Sequence, residues 1–219
     1  MNIDDFYRKQ FGKIAGIDEA GRGPLAGPVV ASAVIIKEHI EGIKDSKVLS
    51  PERREELFQE ILNRAVVGIG LATPEEIDLY NIFHATRIAM NRALENLAER
   101  PDYVIVDGKW LRLSHPGTCV VMGDKKSESI GAASIVAKVV RDRIMRAYSR
   151  VFPEYGFDKN KGYPTKDHIE KLKEHGVTWF HRLTFSPVRK YLTLKELEKM
   201  LKEGRISERR YEKIKGVIG

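Results

Sequence analysis

Cysteine is almost missing from this chain: Cys119 is the only one. No disulfide can close within the chain, and no cysteine pair or close histidine pair has the spacing of a zinc site. Cys119 stands in the apolar run Thr118-Cys119-Val120-Val121-Met122 and is expected as a buried, inert thiol. Long hydrophobic runs are missing too. No stretch approaches the ~20 apolar residues of a membrane helix. The first residues, Met1 to Phe11, are polar and carry acids, unlike a secretory signal. These absences point to a cytoplasmic protein. Repeats and low-complexity segments are also lacking. Glutamine is scarce while Lys, Arg and Glu abound, a composition associated with heat adaptation.

What is present describes an ordinary globular chain. Its 219 residues, 42% hydrophobic and 32% charged, suffice for one sizeable core or a core with a small appendage. The formal net charge is +7 and the pI about 9.4, which favours polyanionic partners such as nucleic acid. Charge alone does not decide this, because many basic proteins carry solvated Lys faces.

Lys13 to Ile17 reads as a short strand ending at Asp18, and Val29 to Ile36 as a second, β-branched strand. The connection Gly21-Arg22-Gly23-Pro24 predicts that the two are neighbours. Ser50-Pro51 starts a helix reaching about Arg64, with Ser as cap and Pro in the first turn. Ala65 to Ala72 reads as a third strand. Thr73-Pro74-Glu75-Glu76 opens a helix, and Phe83 to Ala98 carries helical spacing. Tyr103 to Val106 is a fourth strand ending at Asp107, and Cys119 to Met122 a fifth, followed by Asp124. A long helix spans about Ser129 to Tyr148, and its small start, Gly131-Ala132-Ala133-Ser134, suits close packing on a sheet. The loop Gly156 to Pro164 is polar. Thr165 to His175, Leu194 to Glu203 and Ser207 to Lys215 read as helices. The expected class is α/β, a mixed five-stranded sheet flanked by helices with a helical C-terminal extension. The expected division is a catalytic domain over residues 1–190 and an extension over 191–219.

Acids stand just beyond three apolar runs: the pair Asp18-Glu19, then Asp107, then Asp124. Strand ends are where chemistry gathers in open α/β sheets. If these strands are neighbours, four carboxylates converge and repel, and such a cluster needs cations. Carboxylate oxygens suit magnesium or manganese. The chemistry served by two such ions is phosphodiester hydrolysis, one side activating water and the other stabilising the leaving oxygen. One Asp after a strand is usually only a turn cap. Three such places, one an acid pair, weaken that explanation.

The segment Asp18-Glu19-Ala20-Gly21-Arg22-Gly23-Pro24-Leu25-Ala26-Gly27-Pro28-Val29 resembles the signature of the ribonuclease HII family, the type 2 ribonucleases H. Further blocks follow in order: Asp45-Ser46-Lys47, Asp107-Gly108, Gly123-Asp124, the helix around Ala132 to Arg143, Lys161-Gly162-Tyr163 with Thr165 and His168, and His181-Arg182. The likeness runs from about residue 13 to about residue 190. Thr184 stands where the family often has Ser, another hydroxyl. The resemblance implies an RNase H-like fold and an endonuclease acting on RNA in RNA/DNA hybrids and on ribonucleotides embedded in duplex DNA. It implies cleavage on the 5′ side of the ribonucleotide, leaving 3′-hydroxyl and 5′-phosphate ends. It also implies Asp18, Glu19, Asp107 and Asp124 as catalytic ligands of two Mg2+ or Mn2+ ions.

Telling RNA from DNA means sensing the 2′-hydroxyl. Gly21, Arg22 and Gly23 suit this, since glycine lets backbone groups approach a sugar. No Gly-Lys-Ser/Thr follows, so this is not a Walker A loop. By resemblance Tyr163 stacks on a sugar near the cut, a sequence-tolerant contact. Lys47 and Arg22 are candidates for backbone phosphates; Lys125, Lys126, Lys159 and Lys161 could extend the basic face. His84, His168 and His181 read as packing or hydrogen-bonding residues, and Trp179-Phe180 as core. The expected state is a monomer. A replication clamp stays open as a partner that nothing in the sequence shows. Two rivals stand beside this reading: a related nuclease for branched DNA, and a basic binding module without catalysis. The glycine segment and Tyr163 argue against the first. The carboxylates argue against the second, because unneutralised acids repel phosphate.

Overall fold

The computed structural model describes residues 3–43, 49–109 and 113–218. The chain divides into two compact units. The first comprises Met1–Ala20, Val30–Leu71 and Thr86–Arg141; the second comprises Gly21–Val29, Ala72–Ala85 and Asp142–Gly219.

A five-stranded sheet forms the frame of the first unit. Its strands are β1 (Ile14–Ala20), β2 (Val29–Ile36), β3 (Ala65–Ala72), β4 (Tyr103–Asp107) and β5 (Gly117–Val120), in the order β3-β2-β1-β4-β5. β1 pairs antiparallel with β2, in a register that sets Asp18 opposite Ser32 and Glu19 opposite Ala31. β1 pairs parallel with β4 through Ile17 and Val106, and β4 pairs parallel with β5 through Asp107 and Val120. The sheet is therefore mixed. β2 is buried along nearly all of its Val-Val-Ala-Ser-Ala-Val-Ile-Ile sequence, a run apolar except for Ser32, as in a strand covered on both faces.

Glycine lets helices sit directly on this sheet. A Cβ on Gly16 of β1 would lie 2.2 Å from the Ser129 carbonyl carbon, at the start of helix α5 (Glu128–Ser149). A Cβ on Gly70 of β3 would lie 2.2 Å from the Ala89 carbonyl oxygen, in α3 (Pro74–Glu95). Backbone thus meets backbone, as the small residues at the start of α5 require; Ala132 and Ala133 are wholly buried. The first helix, α1 (Ile3–Phe11), supplies a cap from a distance. The Asp4 carboxylate accepts from the Ser129 N–H at 2.9 Å and hydroxyl at 2.8 Å, placing negative charge at the positive end of α5. Helix α2 (Pro51–Arg64) starts as expected, with the Ser50 hydroxyl accepting from the Arg53 N–H. A short α4 (Gly123–Lys126) precedes α5.

The second unit is helical: α6 (Phe157–Asn160), α7 (Lys166–His175), α8 (Ser186–Arg189), α9 (Leu194–Lys202) and α10 (Glu208–Ile218), with a 3-10 turn at Pro153–Tyr155. Its apolar core gathers Tyr155, Phe157, Phe180, Leu183, Leu197 and Ile214. Within it lies a buried ion pair, Arg210 to Asp78 at 2.7 Å, both side chains sealed from solvent. Asp78 also accepts from the N–H groups of Leu183 (3.0 Å) and Thr184 (2.9 Å) and from the Thr184 hydroxyl (2.7 Å). Arg210 donates onward to the carbonyls of Trp179 (2.9 Å) and His181 (2.7 Å). α9 opens on a capping box between Thr193 and Glu196.

Several expectations shift. β1 does not stop at Asp18 but carries Asp18 and Glu19 inside it, because both pair across to β2. β5 lies two residues earlier than its apolar run suggested, since Met122 turns to a left-handed φ of 53° and leaves the sheet. Cys119 is half-buried rather than fully buried. The helices expected at 74 and 83 join as α3, broken at Asn81 with φ 65°. The polar stretch 156–164 contains α6.

Candidate active site

Asp18 and Asp107 stand one step beyond the paired residues Ile17 and Val106, Asp107 at the carboxyl end of β4 and Asp18 just past the end of the β1–β4 pairing. β5 runs the same way, so the turn after Val120 leads to Asp124 at the same end of the sheet. A hydrogen bond ties Asp107 to the residue before Asp124. The Asp107 Oδ1 accepts from the Gly123 N–H at 2.7 Å, and Asp124 is the next residue, buried at 1% exposure in α4. A Cβ at Gly123 would stand 3.2 Å from that same oxygen and 2.6 Å from Ile130 Cδ1, so the bare backbone is what lets Asp107 reach it.

Asp18 is 6% exposed. Its Oδ1 accepts from the Glu19 N–H at 2.7 Å, and the Ser134 hydroxyl of α5 bonds its carboxylate. Burial pushes the Asp18 carboxyl well above the ordinary carboxylate range, and the charges of Glu19 and Asp107 push it the same way; the two hydrogen bonds oppose them. Anions are thus crowded against burial. Among the described residues, no group of three or more His, Cys, Asp or Glu side chains is disposed to hold a metal ion. The fit to a cation lies in the hard oxygen donors and in the repulsion that positive charge would relieve.

Gly21, Arg22, Gly23 and Tyr163 belong to the second unit and come together there. Gly21 has φ 97°, a conformation that favours glycine. Arg22 and Gly23 are exposed. A Cβ on Gly23 would find only Tyr163 Cε1, at 3.7 Å, so the edge of the Tyr163 ring lies beside this glycine. The ring is 42% exposed, as a surface for stacking requires.

Arg182 holds the glycine segment from within. Its buried guanidinium donates to the carbonyls of Gly21, Arg22 (2.8 Å), Gly27 (3.0 Å) and Pro28 (3.3 Å). The Tyr163 loop is fixed to the same segment by Leu25 N–H donating to the Gly162 carbonyl at 2.7 Å. His168 Nδ1 lies 2.9 Å from the Tyr163 carbonyl, and His168 Nε2 lies 3.1 Å from His181 Nε2.

The structure therefore brings Asp18, Glu19 and Asp107 within electrostatic reach, sets Asp124 beside the Asp107 anchor, and joins Gly23 to Tyr163. Lys47 lies outside the described residues. Sequence reasoning missed Ser134 as a partner of Asp18, having read it only as a small packing residue. It also missed Arg182 as the anchor of Gly21 and Arg22, and no local spacing signals a bond between residues so far apart.

The family model for ribonuclease HII matches residues 15–188. The ribonuclease HII of Thermotoga maritima is 58% identical over 219 residues, covering 100% of this chain and 92% of that protein. The crystal structure of the ribonuclease H2 from Pyrococcus horikoshii OT3 matches with a TM-score of 0.70 and 32% identity, over 82% of this chain and 96% of that one. A chain of the PCNA:RNase HII complex from Archaeoglobus fulgidus matches with a TM-score of 0.61 and 25% identity, over 89% of this chain and 91% of that one. The chain is thus a hydrolase of the ribonuclease H class. It belongs to the ribonuclease HII family, whose model spans most of its length.

Proposed function

We propose that this ribonuclease H is an endonuclease that hydrolyses the RNA strand of RNA/DNA hybrids and cuts 5′ of ribonucleotides embedded in duplex DNA. It leaves 3′-hydroxyl and 5′-phosphate ends and serves ribonucleotide removal during replication and repair. The observation that carries this reading is Asp18 beside Asp107 on adjacent parallel strands, where their pairing ends, with burial and like charge raising the Asp18 pKa. Asp18, Glu19, Asp107 and Asp124 hold two divalent ions, magnesium or manganese. Bound there, the ions supply Lewis acidity at the scissile phosphate.

The chain's own groups then orient the substrate. Gly21 and Gly23 offer backbone groups to the ribose 2′-hydroxyl, with Arg182 keeping that backbone in place. Arg22 and Lys47 meet backbone phosphates, and Tyr163 stacks on a sugar near the cut. Residues 1–190 form the catalytic part and 191–219 a helical extension, a division of role rather than of packing, since Arg210 of α10 braces Asp78 and the His181 carbonyl. The enzyme acts as a cytoplasmic monomer. Among the described residues no helix is long and apolar enough to cross a membrane. The likeness to a chain of the archaeal PCNA complex makes a sliding clamp the partner to test.

The deciding assay compares a DNA duplex carrying one ribonucleotide with an all-DNA duplex, in magnesium or manganese. Cutting is expected at the ribonucleotide alone. Asp18→Asn should still bind the duplex while its cleavage falls by at least about a thousandfold, ~4 kcal/mol of barrier. Cutting of all-DNA, or undiminished hydrolysis by Asp18→Asn, overturns the reading.

A further inference from the structure

Two imidazoles, His168 and His181, are fully buried in the second unit. Their hydrogen-bond partners determine where each proton sits. The backbone N–H of Thr178 can only donate, and it points at His181 Nδ1 from 3.1 Å. That nitrogen accepts, and the Thr178 hydroxyl lies 2.9 Å from it. Burial drives the His181 pKa well below its ordinary value; the neighbouring His168 ring and the Arg210 guanidinium act the same way, and the Thr178 backbone opposes them. His181 is therefore neutral and carries its proton on Nε2, which faces His168 Nε2 at 3.1 Å. His168 Nε2 must accept in turn. Burial lowers the His168 pKa as well, against the hydrogen bond to the Tyr163 backbone and the pull of Asp167. Its one proton sits on Nδ1 and is donated to the Tyr163 carbonyl at 2.9 Å.

The result is a hydrogen-bond chain running one way, from Thr178 through His181 and His168 to the backbone of Tyr163. It is walled by aromatic rings: Tyr155 has its centroid 4.9 Å from that of His181, and Phe157 5.5 Å from that of His168. Burying two imidazoles desolvates polar atoms, a cost that apolar side chains would not incur. What the histidines add is a directed bond to the one residue of the loop whose ring stands out in solvent. A stacking ring misplaced by about 1 Å loses much of its effect on a reaction.

We propose that His168 and His181 are positioning residues for Tyr163, setting its ring beside Gly23 and thereby fixing how well the enzyme recognises an isolated ribonucleotide. This rests on Tyr163 being a substrate contact, as proposed above. A double-mutant cycle between His168→Phe and Tyr163→Ala tests it, read as kcat/KM on a duplex with one ribonucleotide. His168→Phe alone should lower kcat/KM about tenfold. In the Tyr163→Ala background the same change should cost less than about twofold, because its target is already gone. Losses that simply multiply would mark His168 as a general structural residue and overturn the proposal, while leaving the role of Tyr163 standing. If Tyr163→Ala cuts like the wild type, the role of Tyr163 and the proposal fall together. Should His168→Phe not fold, ring-nitrogen NMR on the wild-type protein decides. Protons on His168 Nδ1 and His181 Nε2 support the chain, and the opposite tautomers overturn it.

Discussion

Asp18 and Asp78 are both buried aspartates, 6% and 2% exposed, and the molecule treats them in opposite ways. Asp78 sits in the second unit inside a full shell of donors: the Arg210 guanidinium, two backbone N–H groups and the Thr184 hydroxyl. Its charge is neutralised within the chain, and the pair ties Trp179, His181, Leu183 and Thr184 to one point. Asp18 sits in the first unit with a hydroxyl and one backbone N–H, and the charges it feels are those of two more carboxylates. The same side chain at similar burial is structural where the fold supplies the counter-charge. Where the fold supplies further anions instead, burial and like charge raise the pKa of the carboxyl, and added positive charge would relieve the repulsion.

Removing the counter-charge from Asp78 is the strongest way to break this contrast. Arg210→Ala should cost about 3–5 kcal/mol, because a buried charge is left without its partner. Thermal melts should fall on the order of 10 °C. A melt unchanged within about 2 °C would show that Asp78 is not held by charge compensation.

A smaller change sharpens the contrast between holding a shape and meeting a substrate. A Cβ at Gly23 meets nothing closer than Tyr163 Cε1 at 3.7 Å, an ordinary contact. Gly23→Ala should therefore melt like the wild type. Its cleavage at a single ribonucleotide should still drop about tenfold, ~1.4 kcal/mol, since the new methyl group projects where the sugar approaches. Full activity in this variant would remove Gly23 from ribose recognition.

Local physics made much of this legible. The β-branched run of β2 and the Ser50 cap with Pro51 were readable within a few residues. So were the acids at the ends of apolar runs, because strand ends and helix starts are short-range features. What escaped depends on pairing and packing. β1 extends through Asp18 and Glu19 only because β2 lies beside it. Val121 and Met122 look like strand residues but are exposed, since the backbone turns left-handed at Met122 to deliver Gly123 to Asp107. Asp4 capping α5, Arg182 holding Gly21 and Arg22, and Arg210 braced on Asp78 join residues more than a hundred positions apart. No spacing rule reaches that far. The family resemblance pointed to His181 and Arg182, but only the folded chain shows what each one holds.

On the function proposed above, Asp18, Glu19, Asp107 and Asp124 share divalent cations. Thermal melting of metal-free protein titrated with manganese tests this without any substrate. Wild-type Tm should climb with ion concentration, by about 2.7 kcal/mol of stability at a hundred times Kd. Asp18→Asn, with one repelling charge removed, should melt about 2–4 °C above the wild type without metal and then respond little to manganese. A wild-type Tm indifferent to manganese, or an Asp18→Asn protein that responds as strongly as the wild type, would contradict it.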